Sequence, residues 1–321
     1  MSKLPMRHYC TYFDRNYLAR GLVLHESLEE HSEGDFRLYV LCLDETTEEI
    51  LCSLGKETIV PIPLAKVEEW DPELLKAKAN RSTVEYYFTL SPILPLYVLK
   101  NFGCDLVTYL DADLMFFSSP EAIFTELGDR SILITEHRFP PHLKSREIYG
   151  RFNVQCQVFR NDSIGLKCLE RWRKQCLDWC YDRLEEGKFA DQKYLDEWPE
   201  LYGRFLKINE HPGIGLAPWN VLGHVLQQHH DSWLVDGNNL IFYHFHGIRK
   251  VVFRLIKTSL SEYGAPMNRQ LKNLYSIYMR SFREKERFVG HSNVHDINKR
   301  SDVGKIKILY SGVKGHDLFW L

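Results

Sequence analysis

Short apolar runs alternate with amphipathic stretches along the first half of the chain, and this alternation constrains the fold more than any other feature. Residues 8–13, 36–43 and 58–63 are rich in β-branched and aromatic side chains, which is typical of buried strands. The intervening segments, such as residues 18–30, carry leucines near helical spacing. A β-α-β-α-β order predicts an α/β domain with a mainly parallel sheet and helices on its faces.

The same pattern continues to residue 250 and then changes. Further strands are predicted over residues 105–110, 114–117, 131–135, 152–160 and 241–246. Further helices are predicted over residues 46–54, 83–100, with a proline kink, and 163–183. After the last strand the pattern indicates only helix and loop. We therefore divide the chain into an α/β domain of residues 1–250 and a small, basic, mainly helical extension of residues 251–321.

Composition excludes several classes of protein. Of the 321 residues, 44% are hydrophobic and 26% are charged, a balance that excludes a disordered chain. The most apolar segment, residues 90–99, is short and interrupted by Pro92 and Pro95, which argues against a membrane-spanning helix. The N-terminus lacks the apolar core of a secretory signal, and no Cys-x-x-Cys pair occurs among the eight cysteines. We expect a cytoplasmic protein with reduced thiols.

Charge is distributed unevenly along the chain. Residues 1–247 carry 26 Lys and Arg against 37 Asp and Glu, whereas residues 248–321 carry 15 against 6. The basic C-terminal part can attract phosphate groups or an anionic membrane surface, or it can be a solvated helix face. Nucleic acid is not an expected partner, because the larger part of the chain is acidic and no zinc-finger spacing or RNP motif occurs.

Two acidic residues follow the predicted strand of residues 105–110. Asp111 and Asp113 are separated by one small residue, so in extended backbone their carboxylates point the same way. Ligands of open α/β sheets bind at the carboxyl ends of strands. Two converging carboxylates repel each other unless a cation lies near them, and their hard oxygen atoms suit Mg²⁺ or Mn²⁺. The pair predicts a site that binds a metal ion and a diphosphate.

A second cluster follows in the late strand. His244 and His246 lie on one face of residues 241–246, because side chains alternate with period two. One of them can supply a nitrogen ligand to the same ion. Gly247 lets the backbone approach phosphate groups, and Lys250 adds positive charge.

Three motifs together resemble those of GT-A-fold nucleotide-sugar glycosyltransferases, nearest to the retaining family 8 type. They are the acidic pair after its strand, the His-x-x-Gly-x-x-Lys spacing of His244, Gly247 and Lys250, and the turn of residues 13–17. The resemblance covers residues 8–250 and implies the GT-A fold. It also implies that Asp111, Asp113 and His244 are the metal ligands, with His246 as the alternative.

The resemblance implies further site residues. Asp191 and Gln192 correspond to the catalytic element beneath the sugar ring of these enzymes. The implied donor-binding set is Asp14, Asn16 and Tyr17 for the base, Arg81 for the sugar phosphate, Asn153 for the sugar, and Asp111, Gly247 and Lys250 around the diphosphate.

The implied activity is metal-dependent transfer of a sugar from a nucleoside-diphosphate sugar, with UDP as the expected nucleotide. The metal is Mn²⁺ or Mg²⁺, and the acceptor is a glycan or a lipid-linked glycan. Retention is expected, through a covalent intermediate on Asp191 or through attack on the same face of the sugar. The expected setting is bacterial surface-polysaccharide biosynthesis in the cytoplasm, with peripheral contact at the inner membrane face.

Other functions remain open on the residues alone. A haloacid-dehalogenase-like phosphatase also places two acids after a strand, but Met115 stands where that class has Thr or Val. A sugar nucleotidyltransferase would have a glycine-rich basic loop after its first strand, which the turn of residues 14–17 is not. A degenerate GT-A domain that binds glycans or acts as a scaffold is the non-enzymatic alternative. The turn-rich segment of residues 211–220, with Trp219, either lines the acceptor pocket or fills the core.

Overall fold

The structure is a computed structural model that describes residues 4–230, 232–252, 255–291 and 318–320. Its strands are β1 Arg7–Phe13, β2 Phe36–Cys42, β3 Ile59–Pro63, β4 Leu106–Leu110, β5 Leu114–Phe116, β6 Ile132–Glu136, β7 Phe152–Arg160, β8 Leu206–Ile208, β9 Leu226–His229, β10 Ser232–Val235, β11 Asn238–Asn239, β12 Phe242–His244, β13 Arg249–Val252, β14 Leu255–Lys257 and β15 Leu318–Trp320. Its helices are α1 Leu18–His31, α2 Glu45–Ser53, α3 Leu64–Trp70, α4 Glu73–Asn80, α5 Thr83–Leu90, α6 Ile93–Asn101, α7 Glu121–Leu127, α8 Ser163–Asp178, α9 Trp198–Tyr202 and α10 Arg269–His291.

The central sheet has seven strands in the order β3-β2-β1-β4-β7-β6-β8. Strands β3, β2, β1 and β4 pair in parallel, and β6 pairs in parallel with β8. Only β7 runs against its two neighbours within this sheet. The predicted α/β fold with a mainly parallel sheet flanked by helices is confirmed.

Local signals explain where several helices begin and end. Ser82 and Glu85 form a capping box at the start of α5, and the Asp162 side chain accepts backbone hydrogen bonds at the start of α8. The single kinked helix predicted for residues 83–100 is two helices, because α5 ends at Leu90 and α6 begins after Pro92.

A short antiparallel pair outside the central sheet positions the predicted site. Strand β5 follows β4 after the acidic turn, and it pairs with β12 so that Leu114 lies opposite His244. The Phe245 amide donates to the Asp113 carbonyl oxygen at 3.0 Å. Two segments about 130 residues apart in sequence are thereby held together at the carboxyl end of β4.

The extension contains both helix and strand. Helix α10 buries Tyr275 and Tyr278 and packs on α1, where Ser281 donates to Glu26 at 2.6 Å. The prediction of helix and loop alone beyond residue 246 is wrong, because β13, β14 and β15 form an antiparallel sheet there. Each of these strands has three or four residues, too few to show a period in the sequence. Among the described residues, no helix combines the length and the hydropathy needed to cross a membrane.

Candidate functional site

A cavity of about 820 Å³ opens at the edge where β1 and β4 end and the antiparallel β7 begins. Its lining includes Phe13 at the end of β1, Asp111 after β4 and Asn153 near the start of β7. Many of the predicted site residues line it: Asp14, Asn16, Tyr17, Asp111, Asp113, Asn153, Asp191, Gln192, His244 and His246. The cavity is large enough for a ligand of nucleotide-sugar size.

The acids and the histidines converge on one wall of this cavity. His244 Nε2 lies 2.9 Å from Asp113 Oδ1 and 3.8 Å from Asp111 Oδ2. One potential ligand atom from each of Asp113, His244 and His246 falls within a cluster whose members are all within 4.8 Å of one another. His246 was predicted as an alternative to His244, and the structure places both imidazoles at the cluster.

A buried glutamine orients His244. The Gln155 side-chain oxygen lies 2.8 Å from His244 Nδ1, so Nδ1–H donates to it and Nε2 faces the acids. Gln155 is fully buried in β7, and the sequence analysis assigned it no role. Its position two residues after Asn153, on the same face of the strand, is the only sequence signal that could have indicated it.

The electrostatics of the cluster fit a cation. Burial raises the pKa of Asp111 to about 6. Burial also opposes ionisation of Asp113, but the charge and the hydrogen bond of His244 outweigh it and hold the pKa of Asp113 well below its ordinary value. Burial likewise disfavours charged His244, yet Asp113 raises the pKa of His244. Asp113 and His244 therefore each favour the charged form of the other.

The donor set is suitable for a divalent metal. Carboxylate oxygens from Asp111 and Asp113 suit Mg²⁺ and Mn²⁺, whereas imidazole nitrogens from His244 and His246 suit transition metals. His246 is the exposed member of this cluster, and its imidazole nitrogen can act as a ligand from the open side of the cavity. The residues present therefore fit the metal that the sequence analysis expected.

Asp191 lies in a buried part of the same cavity and is 5% exposed. Burial raises its pKa to about 7, although a hydrogen bond from Ser91 partly opposes this. The Trp172 indole donates to the Asp191 carbonyl oxygen at 2.9 Å, and the preceding Ala190 has a φ of 45°. A non-glycine residue in this left-handed region indicates a backbone held in a constrained conformation.

Gln192 lies beside Asp191 at a more exposed position. Its side-chain nitrogen donates to the Tyr149 carbonyl oxygen at 3.0 Å. This bond connects Gln192 to the 3₁₀ helix Pro141–Tyr149 through its side-chain nitrogen. Both predicted catalytic residues therefore line the cavity.

The turn before α1 forms another part of the wall. Asp14 Oδ1 accepts from the backbone amides of Asn16 and Tyr17 at 3.0 and 3.2 Å, and Asp14 Oδ2 accepts from Asn16 Nδ2 at 2.9 Å. These bonds fix the turn in one conformation. Aromatic side chains from α5, Tyr87 and Phe88, line the cavity as well and were not predicted.

Three candidate donor-binding residues do not line the cavity. Arg81 donates to the Leu177 carbonyl oxygen at 2.7 Å and to Thr89, so its guanidinium holds α5 against the end of α8. Lys250 pairs with Glu286 of α10 at 2.6 Å. Both charged groups have protein partners in this arrangement, and the phosphate contacts of Arg81 and Lys250 stay predictions.

Gly247 is the third of these residues. Its φ is +74°, and a Cβ atom there would lie 2.9 Å from Ser259 Cβ. The glycine therefore permits a close approach between two backbone segments of the protein, in addition to a left-handed turn. Gly247 is not among the residues that line the cavity, and its contact with phosphate stays a prediction.

Trp219 lies in the segment of residues 211–220, which was predicted either to line the acceptor pocket or to fill the core. It is 3% exposed, and its ring packs edge-to-face on His244 and His246 at centroid distances of 5.1 and 5.5 Å. Asn220 holds this loop by donating to the carbonyl oxygens of His137 and Gly215. Trp219 is therefore a buried side chain that also forms the wall behind the candidate metal ligands.

The chain is similar to known proteins both in sequence and in structure. No protein-family model matches the chain. It is 36% identical over 263 residues to uncharacterized protein YfnF of Bacillus subtilis (strain 168), covering 78% of this chain and 84% of the relative. It is 33% identical over 248 residues to uncharacterized protein YfnD of the same organism, covering 76% of this chain and 78% of the relative.

Among solved structures, the galactosyltransferase LgtC in complex with donor and acceptor sugar analogs is similar, with a TM-score of 0.53 and 16% identity. The similarity covers 93% of this chain and 99% of LgtC. Mouse xyloside xylosyltransferase 1 in its apo form has a TM-score of 0.50 and 14% identity, covering 76% of this chain and 98% of that one. Because both Bacillus alignments exceed 30% identity over most of the chain, this protein belongs to the family of YfnF and YfnD, and its fold is that of the GT-A glycosyltransferases.

Proposed function

We propose that the protein is a metal-dependent glycosyltransferase that moves a sugar from a nucleoside-diphosphate sugar, with UDP as its nucleotide, to a glycan or lipid-linked glycan. One observation supports this proposal most directly. Asp111, Asp113 and His244 converge at the carboxyl end of β4, in a cavity whose buried wall carries a second carboxyl group, Asp191. A metal-binding cluster and a separate carboxyl group in one cavity match the two charges of sugar transfer.

The reaction breaks an anomeric C–O bond and leaves a diphosphate and an oxocarbenium-like sugar. A divalent ion held by Asp111, Asp113, His244 and His246 would supply charge neutralisation at the diphosphate. Asp191, once ionised, provides negative charge to the developing sugar cation. Gln192 offers a neutral oxygen beside it, and as an amide it is a poor nucleophile. If retention proceeds through a covalent intermediate, Asp191 is therefore the nucleophile that we propose.

The two ends of the cavity suit the two substrates. We assign the donor nucleotide to the end lined by Asp14, Asn16 and Tyr17, where Tyr87 and Phe88 offer faces for a base. We assign the acceptor to the part lined by Tyr149 and Phe189, whose rings pack edge-to-face with centroids 4.9 Å apart. Sugar rings stack on aromatic faces of this kind.

The charge of α10 bears on the cellular setting. Arg280, Arg283 and Arg287 of α10 line one groove together with Glu284, and this excess of positive charge supports contact with phosphate-rich surfaces. We propose that the protein acts in polysaccharide biosynthesis in the cytoplasm, with α10 placing it at an anionic membrane face.

A melting-shift panel tests the donor and the metal together. UDP-, GDP-, dTDP- and CMP-sugars are each added with Mn²⁺, with Mg²⁺ or with EDTA. A bound ligand at about 100 times its dissociation constant adds about 2.7 kcal/mol to the apparent stability. We expect a metal-dependent rise with UDP-sugars, and no rise in Asp113→Asn. A panel in which no nucleotide sugar raises the melting temperature would contradict the proposed function.

Product analysis separates the enzymatic alternatives. A glycosyltransferase without acceptor slowly hydrolyses its donor to free sugar and nucleoside diphosphate. A phosphatase would instead release inorganic phosphate and leave the glycosidic bond intact. A degenerate domain would bind the nucleotide sugar and release neither product.

A further inference from the structure

His137 and Asn153 form a hydrogen-bonded pair on the cavity wall, and His137 has no role in the proposed function. His137 directly follows β6, and Asn153 lies in the neighbouring antiparallel strand β7. Asn153 Nδ2 lies 3.0 Å from His137 Nε2, and both residues line the cavity. The pair is therefore in reach of a ligand bound there.

The partners of the imidazole decide which nitrogen carries the proton. His137 Nδ1 lies 3.3 Å from the Arg151 carbonyl oxygen, which can only accept a hydrogen bond. Nδ1 is therefore the donor, and Nε2 is left as an acceptor for the Asn153 amide. His137 is 6% exposed, and burial lowers its pKa to about 3, so the ring is neutral and Nε2 is free of a proton at physiological pH.

Both ends of the Asn153 amide are used. Asn153 Oδ1 accepts from the Gln155 backbone amide at 2.8 Å, while Nδ2 donates one of its two hydrogens to His137. A flipped amide would place its oxygen against the His137 lone pair and its NH₂ group against the Gln155 amide hydrogen. The amide plane is thus fixed, and the second N–H of Nδ2 has no hydrogen-bond partner among the described residues.

The imidazole itself is held by its neighbours. The His137 ring stacks on Phe139 with centroids 4.7 Å apart and an interplanar angle of 8°, and it meets the edge of Trp219 at 5.4 Å. Asn220 Nδ2 donates to the His137 carbonyl oxygen at 2.9 Å. A ring fixed by packing and hydrogen bonds can hold another side chain in one orientation.

We propose that His137 is a positioning residue that accepts a hydrogen bond from Asn153 and so directs the second Asn153 N–H toward a hydroxyl group of the donor sugar. This inference rests on the proposed function. His137 does not touch the sugar. By fixing the orientation of the Asn153 amide, His137 determines that the sugar meets its NH₂ group and not its oxygen.

Two substitutions separate the acceptor nitrogen from the shape of the ring. His137→Phe retains an aromatic ring to stack on Phe139 and lacks the acceptor. His137→Gln places a carbonyl oxygen near the position of Nε2 and restores the acceptor. Circular dichroism and melting temperature establish that both variants fold, and a merely structural role would make Phe the better replacement.

Nitrogen-15 NMR of the full-length protein reads the pair directly, without any ligand. The side-chain amide of Asn153 is assigned by its absence in Asn153→Ala. We expect its two hydrogens to shift in His137→Phe and to return toward their wild-type positions in His137→Gln. Unchanged resonances in His137→Phe would overturn the inference.

Donor kinetics test the consequence. UDP-glucose and UDP-galactose are the probes, with Mn²⁺ and no acceptor, and hydrolysis gives kcat/KM while UDP alone gives the nucleotide affinity. We expect about a tenfold lower kcat/KM in His137→Phe, the loss typical of one hydrogen bond, with unchanged UDP affinity. Asn153→Ala should lose as much, and the double variant should lose no more.

The outcomes of these measurements are distinguishable. Wild-type kcat/KM in His137→Phe, or additive losses in the double variant, would refute the positioning role while the proposed function stands. If the wild type binds neither UDP-sugar nor UDP, the proposed function with a UDP donor fails, and the inference fails with it. Recovery in His137→Gln together with the NMR shift supports the inference.

Discussion

Replacing Asp191 with asparagine removes a buried carboxyl group whose ionisation opposes folding. Asp191 is 5% exposed, and burial raises its pKa from 3.8 to about 7. In the unfolded chain this carboxyl group has its ordinary pKa, so the folded protein holds the proton more tightly. The resulting contribution to stability is fully present below pH 3.8 and is lost as the pH rises through about 7.

The size of the effect follows from the same values. Each pKa unit corresponds to about 1.36 kcal/mol, so the rise from 3.8 to about 7 corresponds to about 4 kcal/mol over the full pH range. Between pH 5.5 and pH 8.5, about 2 kcal/mol of this is lost. Asparagine does not titrate. The free energy of unfolding of Asp191→Asn should therefore gain about 2 kcal/mol relative to the wild type over this interval.

Urea unfolding of the metal-free protein in EDTA measures this difference at several pH values. The comparison uses the change in the free energy of unfolding between pH values. An effect of the asparagine amide on local hydrogen bonding is the same at each pH and therefore cancels. Asp182→Asn is the matched control, because Asp182 lines the same cavity but is exposed. If the difference in the free energy of unfolding between Asp191→Asn and the wild type is the same at pH 5.5 and pH 8.5, the pKa of Asp191 is not raised in the folded protein. The reasoning would then be refuted.

Three further substitutions, with Gly223→Ala as a control, test the site and the loop that supports it. Asp113→Asn should abolish donor hydrolysis and the Mn²⁺-dependent rise in melting temperature, and full metal-dependent activity in that variant would exclude the proposed metal site. Gln192→Ala should lower kcat more than donor affinity, and an unchanged kcat would reject its place near the anomeric carbon. Gly213→Ala puts a Cβ atom 1.9 Å from a backbone carbonyl oxygen, so urea unfolding should show a loss of about 2 kcal/mol. Gly223→Ala has no atom within 4 Å of the new Cβ atom, so a loss equal to that of Gly213→Ala would contradict the steric explanation.

The sequence predicted the parts of the site that depend on strand periodicity. His244 and His246 alternate along one strand end, so period two was enough to assign them to one face. The extended backbone expected for Asp111 and Asp113 is wrong, because both lie in a turn after β4 in which the Leu114 amide donates to the Asp111 carbonyl oxygen at 3.4 Å. The position of each pair at a strand end was enough to place it at a carboxyl edge of the sheet. Those inferences needed only the local conformation of each segment.

The sequence could not predict which charged side chains are free to meet a ligand. Arg81 binds the carbonyl oxygen of Leu177, 96 residues away, and Lys250 binds Glu286 of α10. Both depend on helix placement that no local pattern reports. A phosphate contact predicted from an arginine or lysine in a motif therefore depends on which protein groups that side chain contacts in the fold.

Buried polar residues were missed for a related reason. Gln155 and His137 lie in or beside strands of the central sheet, where a polar side chain in a sequence pattern indicates an exposed position. They are buried here because each has a hydrogen-bond partner across the cavity wall, His244 for Gln155 and Asn153 for His137. Burial of a polar group is permitted when its partner is present, and the partner is a property of the tertiary fold.

The short β5–β12 pair shows how these two levels combine. Periodicity orients the imidazoles, but the turn after β4 and the pairing of Leu114 with His244 set the 2.9 Å approach of His244 to Asp113. Gln155 in β7 then selects the imidazole nitrogen that faces the acids. Because three segments must be in register at once, a change in any of them should affect metal affinity even where the ligands themselves are intact.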